Sequence, residues 1–519
     1  MLNLITDRWL PVTRRSGATD TVRPSDLTAG WADDPITALA FPRPDWNGAV
    51  TEFLIGLYAV AMPVEDVQHW HERWGTPPTA DEIAGAMAPL ALAFDLMGEG
   101  ARCFQDHDAL GDAKASPVQQ LLIDAPGDNT AKLNQDLFVR RRGADHRLAW
   151  PDAAVALITL QTYAPSGGAG HRTSMRGGGP LTTLVRPRRE GSGVVRLWDV
   201  IHANQPRGHE ASPLDGKLFP WLAPALTSAN KEVVTEEDAR SLQAFFGTPR
   251  RLRLEGDEEG CTGYRSVPRG ANYEGWRHPL SPYYLAKEAW LPVHPREGIP
   301  TFRDWPGVWG EGEGRAAAAC VRAFADVQRE APIDAELHAF GFDMDNAKAR
   351  AWQDTTPPLV LDERRRAWAA VMVAAAGEAA GALRLAAKRA LYGQARDKDG
   401  KVEIYLPDTV PKRACTELGA ALELTMEDRL RALTAFLIDK SADERDAVFL
   451  TWHHELRGEA LRLFDRTVTI EAVAADALRL VVTTRSLLTG AFGAKGSITK
   501  ALGISKEALN QAHEERRAA

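Results

Sequence analysis

Leu361-Asp362-Glu363-Arg364-Arg365-Arg366-Ala367-Trp368-Ala369-Ala370-Val371-Met372-Val373-Ala374-Ala375 divides the chain into two textures. Asp362 has the side chain of a helix N-cap. After it, Trp368, Val371, Met372 and Ala375 fall at i, i+3, i+4 and i+7, the spacing of one helix face. The helix is expected to run to about Tyr392, where Gly393 and the polar Arg396–Gly400 segment end it. Three further amphipathic segments follow at Ala414–Leu437, Ala442–Phe464 and Ile470–Leu488, with a shorter one at Ile498–Ala512. Four long helices on short polar links predict an antiparallel four-helix bundle.

Before this point most of the Pro, Gly and Trp are found, and short apolar runs are broken by turn residues. Asn3–Val12 and Ala153–Leu160 read as strands, and Ala49–Met62 and Ala80–Leu92 as helices. The passages 163–180 and 254–282 read as long loops, which in compact domains are commonly functional. The expected class is α+β: a large mixed domain over 1–362 with functional loops, then a C-terminal four-helix bundle over 363–519. Thr355-Thr356-Pro357-Pro358 reads as the hinge, and the bundle is expected to fold by itself.

With 519 residues, 44% hydrophobic and 25% charged, the chain can bury a core without disulfides or metals. This excludes a mainly disordered chain, a mini-protein scaffold and a fibrous repeat. The net charge of −8 argues against coating nucleic acid with the whole surface, though not against a local basic groove. Cys103, Cys261, Cys320 and Cys415 are scattered and form no C-x-x-C pair, which fits a reducing cytosol. The N-terminus lacks the pattern of a signal peptide. The Ala-rich run Ala367–Leu383 is interrupted by Glu378 and bracketed by arginines, so no membrane association is expected. The expected location is cytoplasmic.

Enzyme signatures do not assemble. His453-His454-Glu455 is not H-E-x-x-H, and His69 and His71 point to different helix faces. The Gly490–Ser497 run lacks the Gly-Lys-Ser/Thr step of a phosphate loop. No catalytic residue, metal or cofactor is expected. Between 138 and 189, by contrast, nine arginines (140, 141, 142, 147, 172, 176, 186, 188 and 189) stand against two acids. Arginine's planar fork suits phosphate, although charge runs also occur as solvated faces. Two glycine clusters, Ser166–Gly170 and Met175–Pro180, lie inside this window, where backbone can approach a ligand closely. Asp343-Met344-Asp345-Asn346 before Ala347-Lys348-Ala349-Arg350 reads, on its own, as a helix cap.

Together these stretches resemble the large subunit of the type I-E CRISPR surveillance complex Cascade, the CasA family, essentially end to end. The resemblance rests on Asn3–Val12, Met175–Arg186, Trp276–Pro282 and Gly341–Arg350 in that order, with the helical C-terminus behind them. It implies a non-catalytic subunit that recognises the protospacer-adjacent motif in duplex DNA, largely from the minor groove. The same subunit would wedge the strands apart and recruit a helicase–nuclease in trans. Its partners would be the other Cascade subunits, CRISPR RNA and target duplex. Guide pairing would read the remaining sequence.

Carried over by position, the family's glycine loop falls on Gly167, Gly168, Ala169 and Gly170. Its wedge falls on Asp345, Asn346 and Ala347, with Lys348 beside it, and Asn346 stands where well-known members carry glutamine. Its guide- and subunit-contacting loop begins at Phe138 and continues through Arg140, Arg141 and Arg142. A groove-facing lysine of the family has no clear counterpart; Arg265 is the nearest basic residue and Arg269 the fallback. Members with zinc use cysteine pairs, and here only Cys261 is present in that region, so no zinc is expected. The alternatives are a scaffold subunit without DNA contact and a hydrolase with an unrecognised site.

Overall fold

The computed structural model describes residues 2–125, 147–167, 170–209, 213–229, 231–296, 298, 300–398, 401–437, 442–469 and 478–518. By internal packing the chain forms two units, Met1–Gly298 with Gly312–Leu359, and Ile299–Glu311 with Val360–Ala519. The fold is mixed α/β followed by helices, as the sequence predicts.

The first unit is built around the helix Pro44–Ala61, which is buried along most of its length. Phe53 on this helix meets Phe94, Phe104 and Phe246 at ring-centroid distances of 6.0, 5.9 and 6.5 Å. Trp221 and Phe219 close the same aromatic cluster. Such edge-on ring packing contributes beyond area burial alone. The helix Trp150–Tyr163 packs against Pro44–Ala61. It contains Ala153–Leu160, so the strand expected there is a helix. That run is apolar on every side and Ala153, Ala154, Val155 and Leu157 are fully buried, so no periodicity distinguishes the two readings.

Among the described residues, four three-stranded antiparallel sheets belong to this unit, and three of them bear on the site. Leu10–Arg14 pairs with Thr19–Val22 and Ile36–Leu39; only the end of the expected Asn3–Val12 strand is extended. Arg251–Asp257 and Gly260–Val267 form a hairpin that overlaps the first part of the passage read as a loop over 254–282. Ala335–Asp345 is the central strand of the third sheet, with Thr182–Pro187 on one side and Lys348–Thr355 on the other.

In the second unit the main helices are Glu363–Tyr392, Thr416–Phe436, Ala442–Thr467 and Leu478–Ala491. The Asp362 carboxylate caps the first of them, accepting the Arg365 backbone N–H at 2.8 Å. By length and composition this helix is apolar enough to cross a membrane. In the fold, its Met372, Ala376, Ala379 and Leu383 have no exposure and form the core of the unit. Where a polar link was expected after Gly393, Gln394–Lys398 and Lys401–Tyr405 form a hairpin. The single helix expected over Ile498–Ala512 is broken between Ser497–Ala501 and Lys506–Ala518, at a Gly503 with φ +65°.

Sequence reading missed the segment 299–311. Phe302 and Trp305 are fully buried with the helices of the second unit. Phe302 meets Trp452 at 6.3 Å, and the Thr301 hydroxyl donates to the buried Glu423 carboxylate at 2.6 Å. The chain therefore passes between the units at 298/299, 311/312 and 359/360. Pro357-Pro358, read as the hinge, lies in the first unit just before the third of these crossings.

Candidate nucleic-acid interface

Between Tyr163 and Thr182 the chain leaves a buried helix and returns as a buried strand, and the intervening loop is closed at its neck. The Ser174 N–H donates to the Ala164 carbonyl at 3.0 Å and the Gly179 N–H to that of Tyr163 at 3.3 Å. Of the expected glycine loop, Gly168 and Ala169 lie outside the described residues. Gly167 and Gly170 flank them. The Gly167 N–H donates to His171 O at 3.4 Å, and Gly170 O accepts the Arg269 N–H at 2.8 Å.

The two glycines are required for different reasons. A Cβ on Gly167 would stand 2.4 Å from Nη1 of Arg250 and 2.5 Å from Cβ of His171. Gly170 has φ +85°, and its added Cβ would meet nothing closer than 3.4 Å. Its need is backbone conformation.

Arg250 lies beneath this loop and donates to the Pro165 carbonyl. Burial lowers its pKa to about 10, so it remains charged at neutral pH. Among the described residues it has no carboxylate partner. Burial, followed by the Arg250 charge, depresses the pKa of His171. Arg172 donates to Ser228 Oγ at 2.8 Å. Arg269 is exposed and makes no ion pair among the described residues. The loop therefore has positive charge below and beside it.

The other expected arginines are largely committed elsewhere. Arg176 is buried against Glu52 at 2.5 Å. Arg189 pairs with Asp199 at 2.9 Å and lies over the rings of Trp31 and Trp74. Arg186 and Arg188 share Glu336, at 3.6 and 2.7 Å, and Arg147 pairs with Asp257. Among its described residues the run is thus mainly structural, because acids from elsewhere in the chain neutralise it. Arg265 is likewise engaged, with Glu255 at 2.5 Å and the carbonyls of Gly111 and Ala113 at 2.8 and 2.6 Å. Phe138, Arg140, Arg141 and Arg142 lie outside the described residues.

The segment 341–350 is a β-hairpin, not the helix cap that its composition suggests. Asp345 pairs across from Lys348, and Asn346-Ala347 forms the turn. Asn346 has φ +55°, a left-handed conformation that asparagine tolerates better than most residues. With no helix following, Asp345 has none to cap; its carboxylate accepts the Asn346 side-chain amide at 3.1 Å. Asp345, Asn346, Ala347 and Lys348 are all exposed at the tip. Below them the buried Asp343 holds Arg350 at 2.5 Å across the strands.

Loop and hairpin share one base. A Cβ on Gly179 would lie 2.7 Å from the Phe342 carbonyl oxygen and from Met344. The Tyr163 ring meets Phe342 edge-on at 6.1 Å and Trp352 at 5.6 Å. Its hydroxyl donates to Glu52 at 2.8 Å. Glu52, Tyr163 and Arg250 were not recognised from sequence. The one available signal was Glu52, a lone acid in the apolar run 49–62.

A family model described as CRISPR-associated protein Cse1 matches residues 3–463. The chain belongs to the Cse1 family. Family membership agrees with the resemblance read from the sequence, since CasA and Cse1 are used together for one solved relative. That fold is shared with CasA of Thermus thermophilus, at 18% identity, over 94% of this chain and 98% of that one, with a TM-score of 0.70. Cse1 of Acidimicrobium ferrooxidans aligns at 16% identity over 97% and 98%, with a TM-score of 0.71. A chain of a CRISPR RNA-guided surveillance complex aligns at 17% identity over 94% and 99%, with a TM-score of 0.63. Among the described residues of this Cse1-family chain, no three His, Cys, Asp or Glu side chains converge as a metal site. Cys261 is buried, donates to the Gly263 carbonyl at 3.3 Å and has its pKa raised to about 11 by burial.

Proposed function

We propose that this Cse1-family protein is the non-catalytic, motif-reading subunit of a cytoplasmic RNA-guided surveillance complex. In this reading the loop 167–170 brings backbone to the groove of a duplex carrying the short motif. The tip Asp345–Lys348 enters the adjacent base step, and a helicase–nuclease is recruited in trans. CRISPR RNA and the other Cascade subunits complete the assembly, with 138–142 as the guide- and subunit-facing loop.

The observation that carries this reading is the common base shared by the loop that Gly167 and Gly170 flank, both exposed, and the exposed hairpin tip Asp345–Lys348. One is rich in glycine and underlain by arginine, and the other is a narrow hairpin ending in an amide. Backbone and amide groups suit a minor groove, whose donor and acceptor pattern is degenerate, so more than one motif should be accepted. Arg269, beside Gly170 and without an ion pair among the described residues, takes the place of the family's groove-facing lysine. Arg265 is less suited because its guanidinium is already engaged by Glu255 and two carbonyls.

The test is binding by the assembled complex to duplexes with and without the motif, between about 50 and 200 mM salt. Motif-bearing duplex should be preferred, and Arg269→Ala should reduce the salt slope by about one charge. Binding with neither motif preference nor salt slope would instead leave a scaffold subunit.

A further inference from the structure

Arg176 makes three close polar contacts at the base of the two tips, all with buried side chains. It and Glu52 are each 3% exposed. Nη2 donates to Glu52 Oε2 at 2.5 Å, and Nη1 donates to Thr182 Oγ1 and Ser281 Oγ, both at 3.0 Å. The second Glu52 oxygen accepts Thr182 Oγ1 at 2.6 Å and the Tyr163 hydroxyl at 2.8 Å. His278 lies 3.9 Å from Glu52; burial, then the Arg176 charge, hold its pKa far below the usual range, so it adds no charge. The adjoining cavity, about 20 Å³, has room for one water.

Each partner belongs to a different part of the interface. Arg176 sits in the Met175–Pro180 turn that closes the reading loop. Thr182 begins the strand that pairs with the hairpin, opposite Phe340. Tyr163 ends the helix from which the loop departs and packs its ring on Phe342 and Trp352 of the hairpin. One guanidinium and one carboxylate thus fasten the neck of the loop to the base of the hairpin. A planar fork can hold three partners at fixed angles at once, which a lysine ammonium on a flexible stem cannot reproduce.

We propose that Glu52–Arg176 is a positioning pair that fixes the reading loop and the wedge hairpin in one mutual register, so that motif capture by the first is transmitted to the second. This rests on the DNA-opening function proposed above. Neither residue touches DNA, and the pair acts through Gly167–Gly170 and Asn346.

The experiment is a double-mutant cycle in the assembled complex between Arg176→Lys and Asn346→Ala, reading strand opening by a fluorescent base beside the motif. Arg176→Lys should slow opening of intact duplex about tenfold and leave binding to a target already opened beside the motif within about twofold. In the Arg176→Lys background, Asn346→Ala should add less than about a third of its usual logarithmic effect. Multiplying effects, or equal losses on both substrates, would overturn the proposal and leave the pair as a fold-stabilising contact. Thr182→Val keeps both charges and removes the hydroxyl that touches both, so it carries the same cycle if Arg176→Lys does not assemble. If Asn346→Ala alone changes neither substrate, the wedge function itself fails, and the positioning proposal falls with it by a separate signature.

Discussion

Gly341 lies so close to Pro180 that a Cβ at 341 would stand 2.4 Å from the Pro180 carbonyl oxygen. Backbone faces backbone here, so neither side can yield by changing a rotamer. The strand Ala335–Asp345 and the glycine-rich turn can approach this closely only while 341 is glycine. Gly341→Ala should cost about 1–3 kcal/mol of stability, the usual range for forced overpacking. Chemical denaturation of the isolated protein measures it. A change under a few tenths of a kcal/mol would show that the two segments separate freely.

The loop glycines should separate on mutation. Gly167→Ala drives a Cβ into Arg250 and His171, and should lower the melting temperature without any DNA present. Gly170→Ala makes only ordinary contacts with Arg269 and Pro268 but must hold a left-handed φ, at a cost of about 1 kcal/mol. Its main effect should be on motif discrimination in the assembled complex. Equal melting temperatures for the two variants would contradict this assignment.

The helical unit should depend on 299–311. Thr301→Val preserves shape and removes the donor to Glu423, which is 3% exposed. A buried acceptor left without a partner costs about 1–3 kcal/mol. A fragment of residues 360–519 should melt earlier and less cooperatively than the same fragment supplied with a 299–311 peptide. Identical melts would show that segment 299–311 is dispensable.

The bundle was legible because its 3.6-residue periodicity is written locally, down to the Asp362 cap. What failed were features decided by distant partners. Ala153–Leu160 carries no polar face to reveal its period, since helix and sheet surround it. Asp345-Asn346 serves caps and turns equally, and only pairing between 335–345 and both 182–187 and 348–355 makes it a hairpin. The arginine cluster reads as cationic surface until Glu52, Asp199 and Glu336 arrive from elsewhere in the chain. Segment 299–311 is short, and nothing within it marks which core it joins. For the residues proposed to face DNA, the positions come from the family resemblance; composition alone reads a cap and a solvated loop there.

Stability should fall on mild acidification. His202 is fully buried between Trp70 and Trp198, its Nε2 3.0 Å from the Trp70 carbonyl, and burial lowers its pKa to about 4. The unfolded chain, with an ordinary histidine near pH 6.5, binds a proton that the folded protein does not. Stability is therefore whole above about pH 6.5 and is lost as pH falls towards 4, by an amount on the order of a few kcal/mol. His202→Gln should flatten the slope of unfolding free energy between these limits by about one proton. An unchanged slope would mean that His202 does not titrate on unfolding.

The central claim is that Asn346 opens the duplex, and the most direct measurement compares two targets. One is an intact duplex carrying the motif, and the other is already unpaired beside the motif. Unstacking a base step costs on the order of a few kcal/mol, and only the intact target incurs it at the wedge. Complexes assembled with Asn346→Ala should open the intact duplex more slowly and bind the unpaired target as the unmodified complex does. Equal defects on both targets, or no defect on either, would contradict the claim and return Asp345–Lys348 to an ordinary surface turn.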